Sequence, residues 1–299
     1  MSSISLQEAD GGRKMWARLT RRDLRDIATV LALGVLLLPL LPDRTVDPLE
    51  AINPRRLGTL AVALMAVSVG ANLGLRHLGP MSALALTGFA GGFVSSTATV
   101  AALADKAREA PASALCLSGA ALLSNVAMIL QLGLVMWMLS PALLSYCLVP
   151  LICAATVATG AALAFGWRSL RAASGLAGLG VARPVNLKAV LAFVALIVVL
   201  LLAANLAGRW LGEGSLPWVL GLSGIGDVHA ATASAAQMVA GDRISTGVAM
   251  QAITIALAAN SMLKCVIAGV RGGWRFATPL LAGTLLMIGA FAIAAGMLG

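Results

Sequence analysis

The sequence is short of almost everything that polar chemistry draws on. Charged residues make up 11% of its 299 positions and aromatic residues 4%, with two histidines and one tyrosine. A soluble domain carries roughly 25% charged residues. A chain that is 60% hydrophobic, with a mean hydropathy of +0.94, cannot hide its apolar surface in a single core. Most of that surface must face lipid or neighbouring helices. The four cysteines (Cys116, Cys147, Cys153, Cys265) are scattered through apolar segments without CxxC spacing, so they read as small packing residues. Two histidines and no grouped thiolates are too few ligands for a metal centre, and no cofactor is expected. Acid is equally scarce: of twelve Asp and Glu, eleven lie in the N-terminal tail or in loops, and only Asp227 interrupts an apolar run.

The net charge of +9 would suit a nucleic-acid binder, but its distribution does not. Six of the 21 basic residues (Arg13, Lys14, Arg18, Arg21, Arg22, Arg25) precede the first apolar run, and the rest cluster in short loops. Flanking bases of this kind are what cytoplasmic retention and anionic lipid produce. Nucleic acid is therefore not expected as a partner. Apolar runs fall at about 27–42, 57–75, 81–104, 112–139, 142–166, 187–208, 216–240, 246–270 and 276–298. At ~1.5 Å per residue most can cross a hydrocarbon core of ~30 Å. Trp16, Trp137, Trp167, Trp210 and Trp274 sit at or near their ends, where an interfacial belt would place them. The first run is followed by Asp43 and Arg44 rather than by a small-residue cleavage site, so it reads as a retained span.

Two stretches repeat one pattern at a constant offset of 133. Ala71-Asn72-Leu73 and Arg76 to Gly79 match Ala204-Asn205-Leu206 and Arg209 to Gly212. At the same offset Asn53 matches Asn186, Gly88 matches Gly221, Gly91 matches Gly224 and Thr99 matches Thr232. Each copy has a long span, a glycine-interrupted segment and two further spans. The interruptions are Gly88 to Thr97 and Gly221 to His229. Each flank of the first is ~15 Å long as a helix, half a membrane core, so the segment is one broken spanning helix or a re-entrant hairpin. Charge counting favours the hairpin. Nine full spans divide Lys and Arg almost evenly, 11 against 10, whereas two re-entrant segments put 16 inside and 5 outside. Three true spans per copy then give the copies opposite orientation, the plan of many secondary transporters. The expected fold is an all-α polytopic membrane protein with two inverted repeats, each with a glycine-broken or re-entrant helix, plus one extra N-terminal span. Its expected parts are a basic tail (1–26), a first transmembrane helix (27–42), repeat 1 (53–166), a linker (167–185) and repeat 2 (186–299).

Asp227 is the first candidate for chemistry. An ionisable group at membrane depth costs at least ~2.5 kcal/mol on insertion scales, so it normally has a partner or a task. It reads as a cation- or proton-binding carboxylate, as a cap for the helix that starts at Val228, or as both. His229 can titrate near neutral pH or share a proton with Asp227, and Thr232 lies one turn further on. The first copy has Ser95-Ser96-Thr97-Ala98-Thr99 at the corresponding place. Such hydroxyls either cap a half-helix and cradle a polar solute, or pack small against a neighbour. Asn125, beside Ser124, and Asn260, beside Ser261, are amides in long spans, each a clasp between helices or a ligand. Lys264, one turn past Asn260, is expected to snorkel to the cytoplasmic surface.

Asn53-Pro-Arg-Arg-Leu57, Gly91-Gly-Phe-Val-Ser-Ser-Thr-Ala-Thr99 and Gly226-Asp-Val-His-Ala-Ala-Thr232 together resemble a bacterial membrane domain of unknown function, of the DUF4010 type. The resemblance runs from about residue 21 onward. That domain often accompanies an MgtC/SapB-type membrane domain on its C-terminal side, and this chain is expected to be the stand-alone unit. The family pattern often carries a second acidic residue where this chain has His229. The resemblance implies membership and a multi-pass topology in a bacterial inner membrane, with a hint of ion homeostasis, but no substrate.

The leading functional expectation is a secondary transporter or permease for a small ion or polar solute. Its site would lie between the two breaks, among Asp227, His229, Thr232, Ser95, Ser96, Thr97, Thr99, Asn125 and Asn260. The alternative is a non-transporting regulatory or assembly protein of the MgtC/SapB-associated type. An enzyme is not expected. Gly224-Ile-Gly-Asp227 matches the GxGD pattern of intramembrane aspartyl proteases, but that chemistry needs two carboxylates and no second acid lies within a span. Expected partners are the bilayer, the solute and, in an assembled form, further copies of the chain.

Overall fold

A computed structural model of the protein describes residues 20–46, 53–77, 83–170 and 187–297. The basic tail before residue 20 and most of the expected linker lie outside the described residues. Among these residues every regular element is helical. Six helices are long and apolar enough to cross a membrane: Pro54–Gly74, Leu84–Glu109, Pro111–Leu139, Pro141–Gly166, Thr246–Gly272 and Trp274–Gly296. The chain is a multi-pass, all-helical membrane protein.

Helix α1 (Arg21–Ala32) starts with a reciprocal cap: Thr20 Oγ1 accepts from the Asp23 N–H, and Asp23 Oδ2 accepts from the Thr20 N–H at 2.8 Å. One π turn (Leu33–Leu37) and one 3-10 turn (Leu38–Leu40) carry it on with Leu36 and Leu40 exposed, as a lipid-facing surface requires. Helix α2 (Pro54–His77) is capped by Asn53, whose Oδ1 accepts from the Arg56 N–H. Then follow α3 (Ala83–Glu109), α4 (Ala114–Leu139), α5 (Pro141–Leu170), α6 (Leu187–Leu211), α7 (Leu216–Leu222), α8 (Val228–Ala240), α9 (Thr246–Gly272) and α10 (Trp274–Gly296). Helix α4 is the most enclosed, with 67% of its most apolar window buried.

Helix α3 is not straight. Ser95 within it is extended, at φ −168° and ψ 107°. A Cβ on Gly91 would stand 2.7 Å from Thr99 Oγ1, yet residues eight apart in a continuous helix lie about 12 Å apart. The chain therefore doubles back at Ser95. Before it, Gly88 and Gly92 lie against Ala120 and Ser124 of α4, so this half runs parallel to α4. After it the chain returns to where α4 begins, and Leu84 and Ala107 from the two ends of α3 share one apolar cluster with Leu117 and Phe276. The second interrupted segment behaves likewise. Gly221 and Gly224 of α7 and its 3-10 extension (Ser223–Ile225) lie against Ile255 and Ala256 of α9. The chain is extended at Asp227, and α8 then leads back toward the start of α9.

Glycine is what permits this packing. A Cβ on Gly88 would lie 2.0 Å from the Ala120 carbonyl oxygen, and one on Gly224 would lie 2.5 Å from Ala256 Cα. Lipid tails are as apolar as leucine, so helices in a bilayer associate through close contact and interhelical hydrogen bonds. Ser118 at the start of α4 supplies one, donating to the Phe276 carbonyl at the start of α10 (2.8 Å). The start of α4 is thus beside the end of α9. At the opposite end, Gly247 near the start of α9 faces Tyr146 near the start of α5. Helices α4 and α9 consequently run antiparallel. Both ends of the α3 hairpin lie at one end of the bundle and both ends of the α7–α8 hairpin at the other. Arg271 at the end of α9 clamps Asp105 with Nε at 2.8 Å from Oδ1, and Arg108 donates to the Val270 carbonyl.

Candidate functional site

The tips of the two hairpins meet around a cavity of about 310 Å³ in the middle of the bundle. At the first tip Ser95 Oγ accepts from the Ala98 N–H at 3.2 Å and so caps the returning half of α3. At the second, Asp227 Oδ1 accepts from the N–H groups of His229 (2.7 Å) and Ala230 (3.0 Å), and His229 Nδ1 lies 3.2 Å from the same oxygen. A carboxylate only accepts, so Nδ1 carries the proton in that contact and Nε2 of a neutral ring is an acceptor. Nε2 is buried with no partner. All three contacts go to Oδ1, which leaves Oδ2 without a protein partner among the described residues. Asp227 is the cap that its position suggested, and its side chain still keeps 37% of its surface open.

Two amides hold the tips from behind. Gln131 of α4 donates from Nε2 to the Phe93 carbonyl (2.9 Å), which also accepts from Ser68 Oγ of α2 (2.7 Å). Asn260 of α9 donates from Nδ2 to the Gly224 carbonyl (3.1 Å). Each thereby satisfies a carbonyl that the broken helix exposes. Both amides line the cavity, each only 5% exposed, and both amide oxygens lack a partner.

Of the expected site residues, the structure brings Ser95, Ser96, Thr97, Asp227, His229 and Asn260 to the cavity wall. It does not bring the other three. Thr99 packs against Gly91 inside the first hairpin. Thr232 is fully buried, with Oγ1 unpartnered. Asn125 faces Thr284 and Lys264 instead, with Nδ2 3.4 Å from Thr284 Oγ1 and Oδ1 accepting from Lys264 Nζ at 3.0 Å.

One sequence expectation is corrected. Lys264 does not snorkel. It is 1% exposed, and its ammonium is held by Asn125 Oδ1 and Met128 Sδ, within electrostatic range of Asp227. Its four-carbon stem is enclosed between α4 and α9, which leaves it no route to a surface. Within the interruption from Gly88 to Thr97 the turn falls at Ser95: the glycines serve close packing and the serine makes the cap. Sequence reading missed Gln131 and Ser68. Gln131 did carry a signal, as a second amide deep in the apolar run that holds Asn125; Ser68 carried none beyond a hydroxyl.

This chain belongs to the family described as a domain of unknown function (DUF4010), whose profile matches residues 62–272. That match takes in both hairpins and every residue of the cavity wall except Ala61. No curated protein and no solved structure matches the chain.

Proposed function

We propose that the protein is a secondary transporter or permease for a small ion or polar solute, with the cavity between the hairpin tips as its site and Asp227 as binding or coupling carboxylate. The observation that carries this reading is that two hairpins entering from opposite ends of the bundle present their helix starts to one polar cavity. In a bilayer that arrangement is a pair of re-entrant segments in inverted repeats, and non-helical backbone at membrane depth is tolerated where it lines a cavity. The packing is symmetric in the same sense. Helix α3 packs on α4 and α9, and α7–α8 pack on α9 and α4. Gln131 braces the first tip as Asn260 braces the second.

The membrane is taken to be a bacterial inner membrane with the N-terminal tail inside. The chain's own groups bind and orient a solute rather than transform it, since a single acid without a carboxylate partner does not make an aspartyl protease. The test is solute flux into proteoliposomes of the full chain, screened over small ions and polar solutes. Flux that Asp227→Asn abolishes supports the proposal. Absence of flux for every solute, together with a folded protein that co-purifies with an MgtC/SapB-type partner, supports the regulatory or assembly reading instead.

A further inference from the structure

The buried amide atoms left unpartnered on the cavity wall are both oxygens. Among the wall's buried side-chain atoms, Gln131 Oε1 and Asn260 Oδ1 are acceptors with no partner, His229 Nε2 is also unpartnered, and Asp227 adds the more open Oδ2. The amide orientations follow from their neighbours. Each amide faces a backbone carbonyl, which only an NH₂ group can satisfy, so each oxygen is the atom left over. A buried acceptor without a partner costs free energy, and two buried amide oxygens facing one space with an open carboxylate oxygen call for a ligand that brings positive charge. We infer that the cavity binds a monovalent cation, through Asp227 Oδ2 and the amide oxygens of Gln131 and Asn260. The inference deepens the transport reading and rests on it for the identity of the site.

Charge selects the class. One carboxylate and neutral oxygens are a hard, oxygen-only ligand set, suited to a cation that prefers oxygen. Lys264 Nζ turns away from the cavity to Asn125 and Met128, so it is a nearby charge and not a ligand. With Lys264 protonated and Asp227 ionised the site is neutral overall. A monovalent ion then leaves one excess positive charge in a low-dielectric surround and a divalent ion leaves two, and the Coulomb cost rises accordingly. The helix starts favour negative charge, but at the second tip Asp227 already supplies it, and a further anion would meet that carboxylate and the unpartnered amide oxygens. At about 310 Å³ the cavity has room for the ion with part of its hydration shell, since one water occupies about 30 Å³ of liquid.

The experiment is thermal unfolding of the purified full chain in sodium, potassium, N-methylglucamine and magnesium chlorides at equal ionic strength, repeated with gluconate. Saturable stabilisation by sodium or potassium, absent with N-methylglucamine and unchanged in gluconate, is the expected result. Asp227→Asn keeps the helix cap and should weaken that binding by about tenfold or more, the loss of one charged ligand. Lys264→Met removes the neighbouring charge while keeping the packing, and should tighten it several-fold. Stabilisation that follows the anion, that is larger with magnesium, or that does not depend on the cation overturns the inference. So does a Lys264→Met protein that binds sodium or potassium more weakly. Cation binding without any flux removes the transport reading and leaves the cation site standing. Flux of a neutral or anionic solute without cation dependence does the reverse.

Discussion

Ser95 and Asp227 hold the same backbone conformation at the tips of two hairpins that face each other, φ −168°, ψ 107° for the first and φ −161°, ψ 117° for the second. Each is extended, and each caps the helix that follows with its own side chain. Their separation is 132 residues, one less than the offset that aligns the flanking glycines and threonines. The equivalence lies in the capping geometry, which tolerates serine or aspartate alike. Only the aspartate also brings charge.

That difference separates structure from function at Asp227. Asp227→Ala removes the cap and should lower stability by about 1 kcal/mol, within the usual range for lost N-caps. Asp227→Ser and Asp227→Asn keep an acceptor there and should unfold close to the wild-type temperature. If the carboxylate serves only as a cap, the Ser and Asn proteins will also transport normally. If its charge is used, both will be folded and inactive. Unfolding in detergent and flux in proteoliposomes, measured on the same preparations, decide between these.

Gly88 should be intolerant of any side chain. A Cβ there would sit 2.0 Å from a backbone oxygen of α4, which cannot rotate away. Gly88→Ala should cost at least about 1–3 kcal/mol, the usual penalty of overpacking. Gly289 of α10 has nothing within 4 Å of its Cβ position. Gly289→Ala should be neutral, or stabilising by up to about 1 kcal/mol from helix propensity alone. Comparing the two unfolding temperatures tests whether α3 is seated on α4.

Much of this was legible in the sequence because membranes punish exceptions. The apolar lengths gave the long helices, and the single acid within an apolar run led to a residue on the cavity wall. The glycines marked the interrupted segments, but not the turn itself, because glycine signals close approach as well as bending. Lys264 was misread for a related reason. Position along a helix says how far a lysine is from the end, not whether α4 closes over it. Asn125 was singled out as an amide in a long span, while Gln131, six residues on in the same span, was not. Only their neighbours distinguish them, one bracing a broken helix and the other holding a buried ammonium.

Asn125 and Lys264 should be energetically coupled. Asn125→Ala leaves the buried Lys264 amine with only a thioether sulfur and should cost about 1–3 kcal/mol, as leaving a buried donor unsatisfied does. Lys264→Met, which removes the charge and keeps the volume, should cost little or stabilise. The double variant Asn125→Ala with Lys264→Met should be more stable than Asn125→Ala alone. Additive effects in that cycle would mean that Asn125 does not hold Lys264.

The sharpest prediction concerns sidedness. Glu109 is exposed at the end of the α3 hairpin, and Asp242 is exposed just after α8. With the N-terminal tail inside, a re-entrant α3 returns Glu109 to the cytoplasm, whereas an α3 that crossed the bilayer would leave it outside. Asp242 lies outside both when the two interrupted segments are re-entrant and when both span, and so reports that labelling works. Single cysteines are placed at these positions after Cys116, Cys147, Cys153 and Cys265 are replaced, and intact cells are treated with an impermeant thiol reagent. Asp242→Cys should label in intact cells and Glu109→Cys only after the membrane is opened. Labelling of both in intact cells would mean that α3 spans. The two tips would then no longer approach one cavity from opposite sides, and the transport reading would lose the observation that carries it.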